Sequence, residues 1–207
     1  MAHLNQRKSL RLPNWDYRWN AHYFVTICTK NRVKYFGEII NGEMHLSDEG
    51  KIANDLWYEI PNHSKNVVLG EFIVMPDHIH GIITIDNPIV SQFSFSSSYI
   101  GIGQANSLYM MQISMGVTNP KHLLKLTAEN RFQNIGPNSL SSIVGSYKSA
   151  VSKHVRRTGI KFEWQKFFYE RIVRSELAYF VISKYIKNNP IKWESKKRKT
   201  AKSSLNS

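Results

Sequence analysis

Residues 71–85 read EFIVMPDHIHGIITI, and this stretch decides the class of fold. Two apolar runs are separated by a Pro-Asp pair, a pattern that predicts two adjacent strands. Alternate residues of a strand point to the same side, so His78 and His80 project together from the second strand. Two imidazoles so placed can converge on one metal ion, although an isolated pair of this kind is more often polar surface.

Strand and helix signals alternate on the N-terminal side of that stretch. Residues 21–29 are rich in aromatic and β-branched side chains and predict a strand. The Asn-Gly pair within 36–46 lies between short apolar runs and predicts a hairpin. Ser47 is a suitable N-cap for an amphipathic helix, which Pro61 is expected to end.

The same alternation returns towards the C-terminus. The periodicity predicts a helix over 139–157, an aromatic strand over 162–173, and a last helix from Ser175 to about Asn189, ended by Pro190. The whole order contains a β-α-β-β-α-β unit. It predicts an α+β sandwich with a central antiparallel sheet and helices packed on one face.

One domain is expected over residues 1–194. Its N-terminal part, residues 1–19, is a basic, aromatic arm, and residues 195–207 are expected to form a basic, disordered tail. Residues 87–137 lose the periodicity and are rich in Ser, Gly and Asn. A structureless loop of that length is uncommon inside a compact domain, so this segment is predicted to be a variable insertion.

The chain is strongly basic, and the charge is unevenly distributed. Its 207 residues include 28 Lys and Arg against 15 Asp and Glu, a net charge of +13. Residues 1–147 hold 12 basic and 11 acidic residues, whereas residues 148–207 hold 16 and 4. A one-sided positive field attracts polyanions, of which nucleic acid is the commonest, although the Lys-Arg cluster at 196–199 is equally consistent with a solubility tail.

Other features of the sequence indicate the cellular compartment and whether the chain enters a membrane. The single cysteine, Cys28, excludes an intramolecular disulfide and any zinc site that needs several thiolates. No apolar run approaches the roughly 18 residues of a membrane span, and residues 1–19 do not resemble a signal peptide. We therefore expect a cytoplasmic protein with no membrane partner.

The last predicted helix places two polar side chains on its inward face. At 100° per residue, Tyr185 and Asn189 are i,i+4 neighbours among the apolar positions. Periodicity alone leaves two interpretations open. Either Tyr185 is a core residue and Asn189 a C-terminal cap, or the pair is a nucleophile beside an amide metal ligand.

Several linked motifs resemble those of one known family. Residues 72–83 are similar to the His-hydrophobic-His (HUH) motif of the single-tyrosine transposases, and residues 23–29 resemble their first strand. The C-terminal signature of the REP-associated tyrosine transposases is matched at Trp164-Gln165, Arg174, residues 185–190 and Trp193. The resemblance covers 9–86 and 138–194, with one departure: Arg171 stands where the subgroup often has His.

The resemblance implies a ferredoxin-like HUH endonuclease domain that cleaves and rejoins single-stranded or hairpin DNA through a covalent phosphotyrosine. It implies Tyr185 as the nucleophile and His78, His80 and Asn189 as metal ligands. Tyr147, in the family's long helix, is the second candidate for the nucleophile. Two imidazoles and an amide oxygen suit Mg²⁺ or Mn²⁺, and the imidazoles favour Mn²⁺.

Basic and aromatic side chains of the C-terminal part are candidates for phosphate contacts and base stacking. The candidate DNA-binding residues are Lys148, Lys153, Arg156, Arg157, Trp164, Gln165 and Arg174, and Trp15, Trp19 and Phe167 are further candidates for base stacking. A monomer is expected rather than a homodimer. Two alternatives stay open: a catalytically inactive DNA- or RNA-binding regulator of the same fold, and a metal-dependent hydrolase of small molecules, which would leave the basic C-terminal part unexplained.

Overall fold

A computed structural model describes Trp15, residues 17–86 and residues 138–195. Most of the predicted arm, all of the predicted insertion at 87–137, and the predicted tail apart from its first residue lie outside the described residues. No helix within the described part of the chain is long and apolar enough to cross a membrane.

The secondary structure alternates much as the periodicity predicts. In chain order the elements are β1 (Ala21–Cys28), a 3₁₀ turn (Lys30–Arg32), β2 (Gly37–Ile40), β3 (Glu43–Leu46), α1 (Asp48–Tyr58), α2 (Ile60–His63), β4 (Val67–Met75), β5 (His78–Ile85), α3 (Leu140–Arg157), β6 (Tyr169–Val173) and α4 (Glu176–Lys187). After a turn at Asn188, residues 189–195 are helical again.

Four strands form one antiparallel sheet in the order β4-β5-β1-β6, and β2 pairs with β3 in a separate hairpin. With α1 between β1 and β4, and α3 between β5 and β6, this is the ferredoxin-like arrangement. The predicted α+β fold is confirmed. The hairpin is confirmed too, and its Asn41 and Gly42 have φ of 52° and 81°, as a two-residue hairpin turn requires.

One face of the sheet packs against α1 and α3 through the main core. Strand β1 contributes Tyr23, Val25 and Ile27, and Trp57 of α1 stacks on Phe72 with ring centroids 4.7 Å apart. Full burial of each large apolar side chain stabilises the fold by about 1.5–3 kcal/mol. This core holds the central strands β1 and β5 from one side.

The other face of the sheet is covered by α4. Ile182 and Ile186 of this helix pack with Ile82 of β5 and Val173 of β6 in a second, smaller cluster. The predicted packing of helices on one face therefore describes α1 and α3, and α4 adds a layer on the opposite face. The residues of β1 and β5 that do not enter the main core consequently face α4.

Serine side chains cap the starts of the three long helices. The hydroxyl of Ser47 accepts a hydrogen bond from the Gly50 N–H, and Ser175 accepts from the Ala178 N–H, as their positions in the sequence predict. Ser139 caps α3 in the same way. Each such cap satisfies an N–H that the helix itself cannot pair.

The predicted strand over 162–173 is wrong for its first seven residues, because β6 begins at Tyr169. Phe162 is fully buried in the main core. Trp164 donates its indole N–H to the carbonyl of Lys148, and it forms only an isolated bridge with Thr29. Phe162 and Trp164 therefore pack into the domain instead of extending the sheet, whereas Phe167 of the same segment is exposed.

Pro190 does not end the helical part of the chain, contrary to prediction. Helix α4 ends at Lys187, with Asn188 as its C-cap, and Pro190 lies in the first turn of the helical residues 189–195. Proline is well accepted there, since its missing N–H would have no intrahelical partner.

Two glycine substitutions should have opposite effects on stability. A Cβ at Gly81 would lie 2.3 Å from Cζ2 of the buried Trp57, whereas a Cβ at Gly145 in α3 has nothing within 4 Å. We expect Gly81→Ala to lower the free energy of unfolding by about 1–3 kcal/mol. Gly145→Ala should raise it by about 0.5–1 kcal/mol, the usual gain in a helix interior. Urea unfolding of both variants checks this, and an unaffected Gly81→Ala variant would contradict the packing described.

Candidate active site

His78 and His80 lie side by side at the start of β5, on the face covered by α4. Their side chains are almost inaccessible to solvent, with relative exposures of 4% and 6%. The two Nε2 atoms are 3.1 Å apart. Two nitrogens this close either share one proton or bind one cation, so the predicted convergence of the rings is present in the structure.

Neighbouring side chains fix the orientation of both rings. Nδ1 of His78 lies 2.5 Å from Oδ1 of Asp77, and Nδ1 of His80 lies 2.8 Å from the hydroxyl of Thr26. The Phe24 ring stacks on His80 with centroids 5.3 Å apart. With both Nδ1 atoms so engaged, the two Nε2 atoms are directed at each other.

Asp77 is itself held in place from the end of β1. Its Oδ2 lies 3.4 Å from Nε of Arg32, and its carbonyl accepts hydrogen bonds from the N–H and the hydroxyl of Thr29. Arg32 also donates to Sγ of the buried Cys28. The turn that precedes β5 is therefore tied to the end of β1, and the His78 ring is held through it.

Tyr185 of α4 completes the cluster from the opposite layer. Its hydroxyl lies 3.4 Å from Nε2 of His80, and the two rings pack edge to face with centroids 5.3 Å apart. The Tyr185 side chain is 37% exposed, so a substrate can reach it from solvent. Lys192 places its ammonium 5.1 Å from the centre of the Tyr185 ring.

Burial keeps His80 neutral. Desolvation, reinforced by the nearby His78 and by the Arg32 guanidinium, lowers the pKa of His80 to about 3. A neutral imidazole retains a lone pair on one ring nitrogen, which is the form that binds metal ions.

The segment after α4 lies over the histidines. Trp193 approaches His78 with ring centroids 5.5 Å apart. Asn189 is buried one helical turn beyond Tyr185, at the start of the helical residues 189–195. Arg171, the departure from the family pattern, stands opposite Phe24 on the edge strand β6, next to the same cluster.

The donor set fits a divalent ion held by two imidazoles. Ligand atoms about 2.1 Å from one ion and at right angles to each other lie about 3.0 Å apart, close to the Nε2 separation seen here. Among the described residues, no group of three or more His, Cys, Asp or Glu side chains could hold a metal. The amide of Asn189 stays a predicted third ligand.

Tyr147 does not lie in this cluster. It is buried on the opposite face of the sheet, where its hydroxyl donates a 2.7 Å hydrogen bond to the carbonyl of Ala53. Burial raises its pKa well above the ordinary value for tyrosine. Tyr147 therefore ties α3 to α1 and has no access to the histidines.

The candidate DNA-binding residues do not form one surface but lie in several separate parts of the fold. Arg156, Trp164 and Gln165 line an open cavity of about 650 Å³ where β1 ends. Arg174 lines a different cavity, of about 630 Å³, which includes residues from the start of β1 and the end of β5. Arg174 is thus at the opposite end of the sheet from His78.

The remaining lysines and arginine lie on α3. Lys153 and Arg157 are exposed. Lys148 instead donates its ammonium to the carbonyls of Gln165 and Lys166, and burial lowers its pKa. Of these three, Lys148 has an evident structural role in anchoring the segment that follows α3.

Sequence reasoning missed several residues around the histidine pair, among them Asp77 and Arg32. Asp77 directly precedes His78, and a carboxylate next to a metal-binding histidine pair is a recognisable signal. Arg32 carries no local signal, because it reaches Asp77 only through the pairing of β1 with β5.

The fold and the cluster together define a ferredoxin-like domain with a buried histidine pair facing an accessible tyrosine. A protein of Haemophilus influenzae, itself uncharacterized, is 35% identical over 194 residues, which cover 93% of each chain. The chain belongs to the same family as that protein. No family model matches the chain.

Two solved structures are similar at low identity. A REP-associated tyrosine transposase bound to a REP hairpin is 16% identical, over 84% of this chain and 68% of that chain, with a TM-score of 0.49. A candidate transposase from Deinococcus radiodurans R1 is 13% identical, over 82% and 91% of the two chains, with a TM-score of 0.35.

Two tyrosine-to-phenylalanine variants should separate the buried tyrosine from the accessible one. Tyr147→Phe removes a buried hydrogen bond, so we expect the free energy of unfolding to fall by about 0.5–1.5 kcal/mol. Tyr185→Phe changes a partly exposed side chain and should stay within about 0.5 kcal/mol of the parent chain. Thermal unfolding followed by circular dichroism measures both, and equal effects would contradict the assigned environments.

Proposed function

We propose that this chain is a transposase-like enzyme that cleaves and rejoins single-stranded, hairpin-associated DNA through a covalent bond to Tyr185. The observation that carries the proposal is the position of the Tyr185 hydroxyl, 3.4 Å from His80 Nε2, which is in turn 3.1 Å from His78 Nε2. A reachable phenol beside a fixed pair of metal-binding nitrogens suits attack on a phosphodiester.

The proposed cleavage is a transfer of the phosphoryl group. The Tyr185 oxygen forms a bond to phosphorus as the bond from phosphorus to the 3′ oxygen breaks. The phenol proton passes to solvent, and the departing 3′ oxygen takes up a proton from solvent, so the two exchanges balance. Because the phosphotyrosine retains the energy of the phosphodiester, a 3′-hydroxyl can attack it later and restore the DNA strand without ATP.

The residues of the cluster have distinct proposed roles. A divalent ion, Mg²⁺ or Mn²⁺, held by His78, His80 and Asn189, would supply the positive charge that polarises the phosphate and orients it for in-line attack. Asp77 and Thr26 hold the imidazoles through their Nδ1 atoms.

Lys192 and Phe24 support the proposed role of Tyr185. Lys192 brings a cation to the face of the tyrosine ring, where it would also meet the charge of an incoming phosphate. Phe24 packs edge-on against Tyr185, with centroids 6.1 Å apart, and stacks on His80. The phenol and the imidazole are thereby held against one aromatic surface.

The nucleophile can be tested with one hydroxyl deletion. We expect Tyr185→Phe to reduce the covalent protein–DNA adduct about a hundredfold or more, because the variant lacks the hydroxyl that forms the phosphate ester. Tyr179→Phe is the matched control on the same helix, since its ring packs against His22, away from the histidine pair. Labelled hairpin oligonucleotides with single-stranded flanks, incubated with the chain and Mn²⁺, are analysed for the adduct on denaturing gels.

DNA binding by Tyr185→Phe should stay close to that of the parent chain. An adduct that persists in Tyr185→Phe would refute the assignment of the nucleophile. Absence of any adduct from the parent chain, together with tight DNA binding, would favour the inactive regulatory protein.

The metal ligands can be tested without DNA. We expect the double variant His78→Ala, His80→Ala to bind Mn²⁺ more than about a hundredfold more weakly than the parent chain. His22→Ala is the control, because His22 lies on the same strand face as Thr26 but pairs with Thr84, at the other end of the sheet. Electron paramagnetic resonance of free Mn²⁺ measures the affinity, and unchanged binding by the double variant would exclude the histidine site.

A further inference from the structure

The outward face of α4 is apolar and exposed to solvent. Leu177, Phe180 and Val181 lie within about 100° of one another around the helix axis, on the side away from the sheet. Their relative exposures are 73%, 58% and 57%. The described part of the chain leaves this face uncovered, apart from the Lys184 ammonium 5.1 Å from the centre of the Phe180 ring.

This exposed face adds to the apolar face that α4 already buries. Ile182 and Ile186 pack against the sheet, and eight of the twelve residues of the helix are Leu, Ala, Val, Ile, Phe or Tyr. A helix at the surface of a domain is usually apolar on one side only, whereas a helix that is apolar on both sides is enclosed between two layers. The composition of α4 therefore favours a second layer over its outward face.

One segment outside the described residues has the composition of such a layer. Residues 87–137 contain 19 Ile, Val, Leu, Met, Phe or Tyr among 51 residues, and four Asp, Glu, Lys or Arg. Residues 1–14 contain four of the same apolar types, and residues 196–207 contain one. Burial of so many apolar side chains is favourable, so residues 87–137 have reason to pack against an apolar surface of the domain.

This segment leaves the described fold at the end of the sheet where α4 begins. It follows Asp86, and His22 of β1 stands there between Thr84 of β5 and Val173 of β6. Helix α4 begins three residues after Val173. The His22 side chain links the two places, because its Nδ1 lies 2.7 Å from the Thr84 hydroxyl oxygen and its ring centre lies 5.0 Å from that of Tyr179 in α4.

The chain also returns at this end of the sheet. The N–H of Leu140, at the start of α3, donates to the carbonyl of Tyr17, whose ring lies 5.7 Å from that of Tyr23 in β1. An extended chain spans about 3.3–3.6 Å per residue, so a few residues reach from Asp86 to the outward face of α4. The 51 residues between the two ends are therefore ample to cover this face and return.

The outward face alone is small for an interface between two copies of the chain. Three side chains of this size expose roughly 300–400 Å² together, whereas a stable protein–protein interface buries roughly 800 Å² on each partner. A segment of the same chain needs no such area, because it is already attached next to the surface that it covers.

We propose that residues 87–137 pack against Leu177, Phe180 and Val181, so that α4 lies between the sheet and this segment. The segment is then part of the domain, and it holds the helix that carries Tyr185 from the side opposite the sheet. This inference concerns the packing of α4 and does not depend on the reaction proposed for Tyr185.

The contact can be tested in the full chain by site-specific photo-crosslinking. Phe180 is replaced by p-benzoylphenylalanine, and crosslinked peptides are identified by mass spectrometry after irradiation of an equal mixture of unlabelled and ¹⁵N-labelled chains. We expect crosslinks from position 180 to residues 87–137, with both peptides carrying the same isotope. Phe167 is the matched control position, since it is also exposed, has the Lys166 ammonium 5.3 Å from its ring, and lies two residues before β6, at the histidine end of the sheet.

The control position should give at least about tenfold less crosslinking to residues 87–137. Equal yields from the two positions would mean that the segment reaches both through its attachment alone, and would overturn the proposal. Crosslinked peptides of mixed isotope composition would assign the outward face of α4 to a second copy of the chain. Absence of any crosslink to residues 87–137 would also refute the packing.

A matched pair of charge substitutions gives a second measurement. Val181→Glu places a carboxylate in the proposed contact, so we expect trypsin to cleave after Lys121, Lys125 and Arg131 about tenfold faster or more, because the detached state of the segment becomes more populated. Ile191→Glu is the control. Ile191 is 58% exposed, close to the 57% of Val181, and lies beside the β2–β3 turn at Gly42.

Cleavage of the Ile191→Glu variant should stay within about twofold of the parent rate. If nothing covers Val181, a glutamate on this helix face is harmless and both variants should be cleaved at the parent rate, which would contradict the proposal. Circular dichroism of both variants shows whether the domain itself stays folded, and the crosslinking at position 180 decides the question if Val181→Glu does not fold.

Discussion

The site depends on two buried imidazoles whose Nε2 atoms lie 3.1 Å apart and whose ring nitrogens all need polar partners. A polar ring removed from water costs about 1–3 kcal/mol for each nitrogen without a partner. Asp77 and Thr26 meet this requirement at the two Nδ1 atoms, and the remaining nitrogens are left facing one another. The same contacts that make burial tolerable thus hold the two Nε2 atoms at a separation that would suit one cation.

The register of β1 and β5 separates this polar cluster from the core. Thr26 stands opposite His80 and Cys28 opposite His78, while Val25 and Ile27 face the helices α1 and α3. A slip by one residue would exchange these faces, placing imidazoles in the main core and isoleucines at the site. The large core on one side therefore specifies the position of the histidines on the other.

The sequence is most informative where local periodicity decides the outcome. The alternation around His78 and His80 predicts that their rings project together, and helical spacing predicts that Tyr185 faces the sheet; the structure has both. Their chemical roles stay predictions. The segment before β6 was predicted wrongly because aromatic composition is shared by strands and by packed loops. Arg32 could not be found at all, since its contact with Asp77 exists only after two strands have paired.

Net charge alone overstates how much of the C-terminal part is available to a polyanion. Lys148 and Arg156 both donate to backbone carbonyls of the segment between α3 and β6, so two of its cations also stabilise the fold. A domain with this excess of positive charge repels itself, and an anionic strand bound along it would relieve that repulsion. The histidines come from the nearly neutral part of the chain and Tyr185 from the basic part. Under the proposed function, a strand attracted by the basic part would meet the histidines at the boundary between the two parts, where the Tyr185 hydroxyl lies 3.4 Å from His80 Nε2.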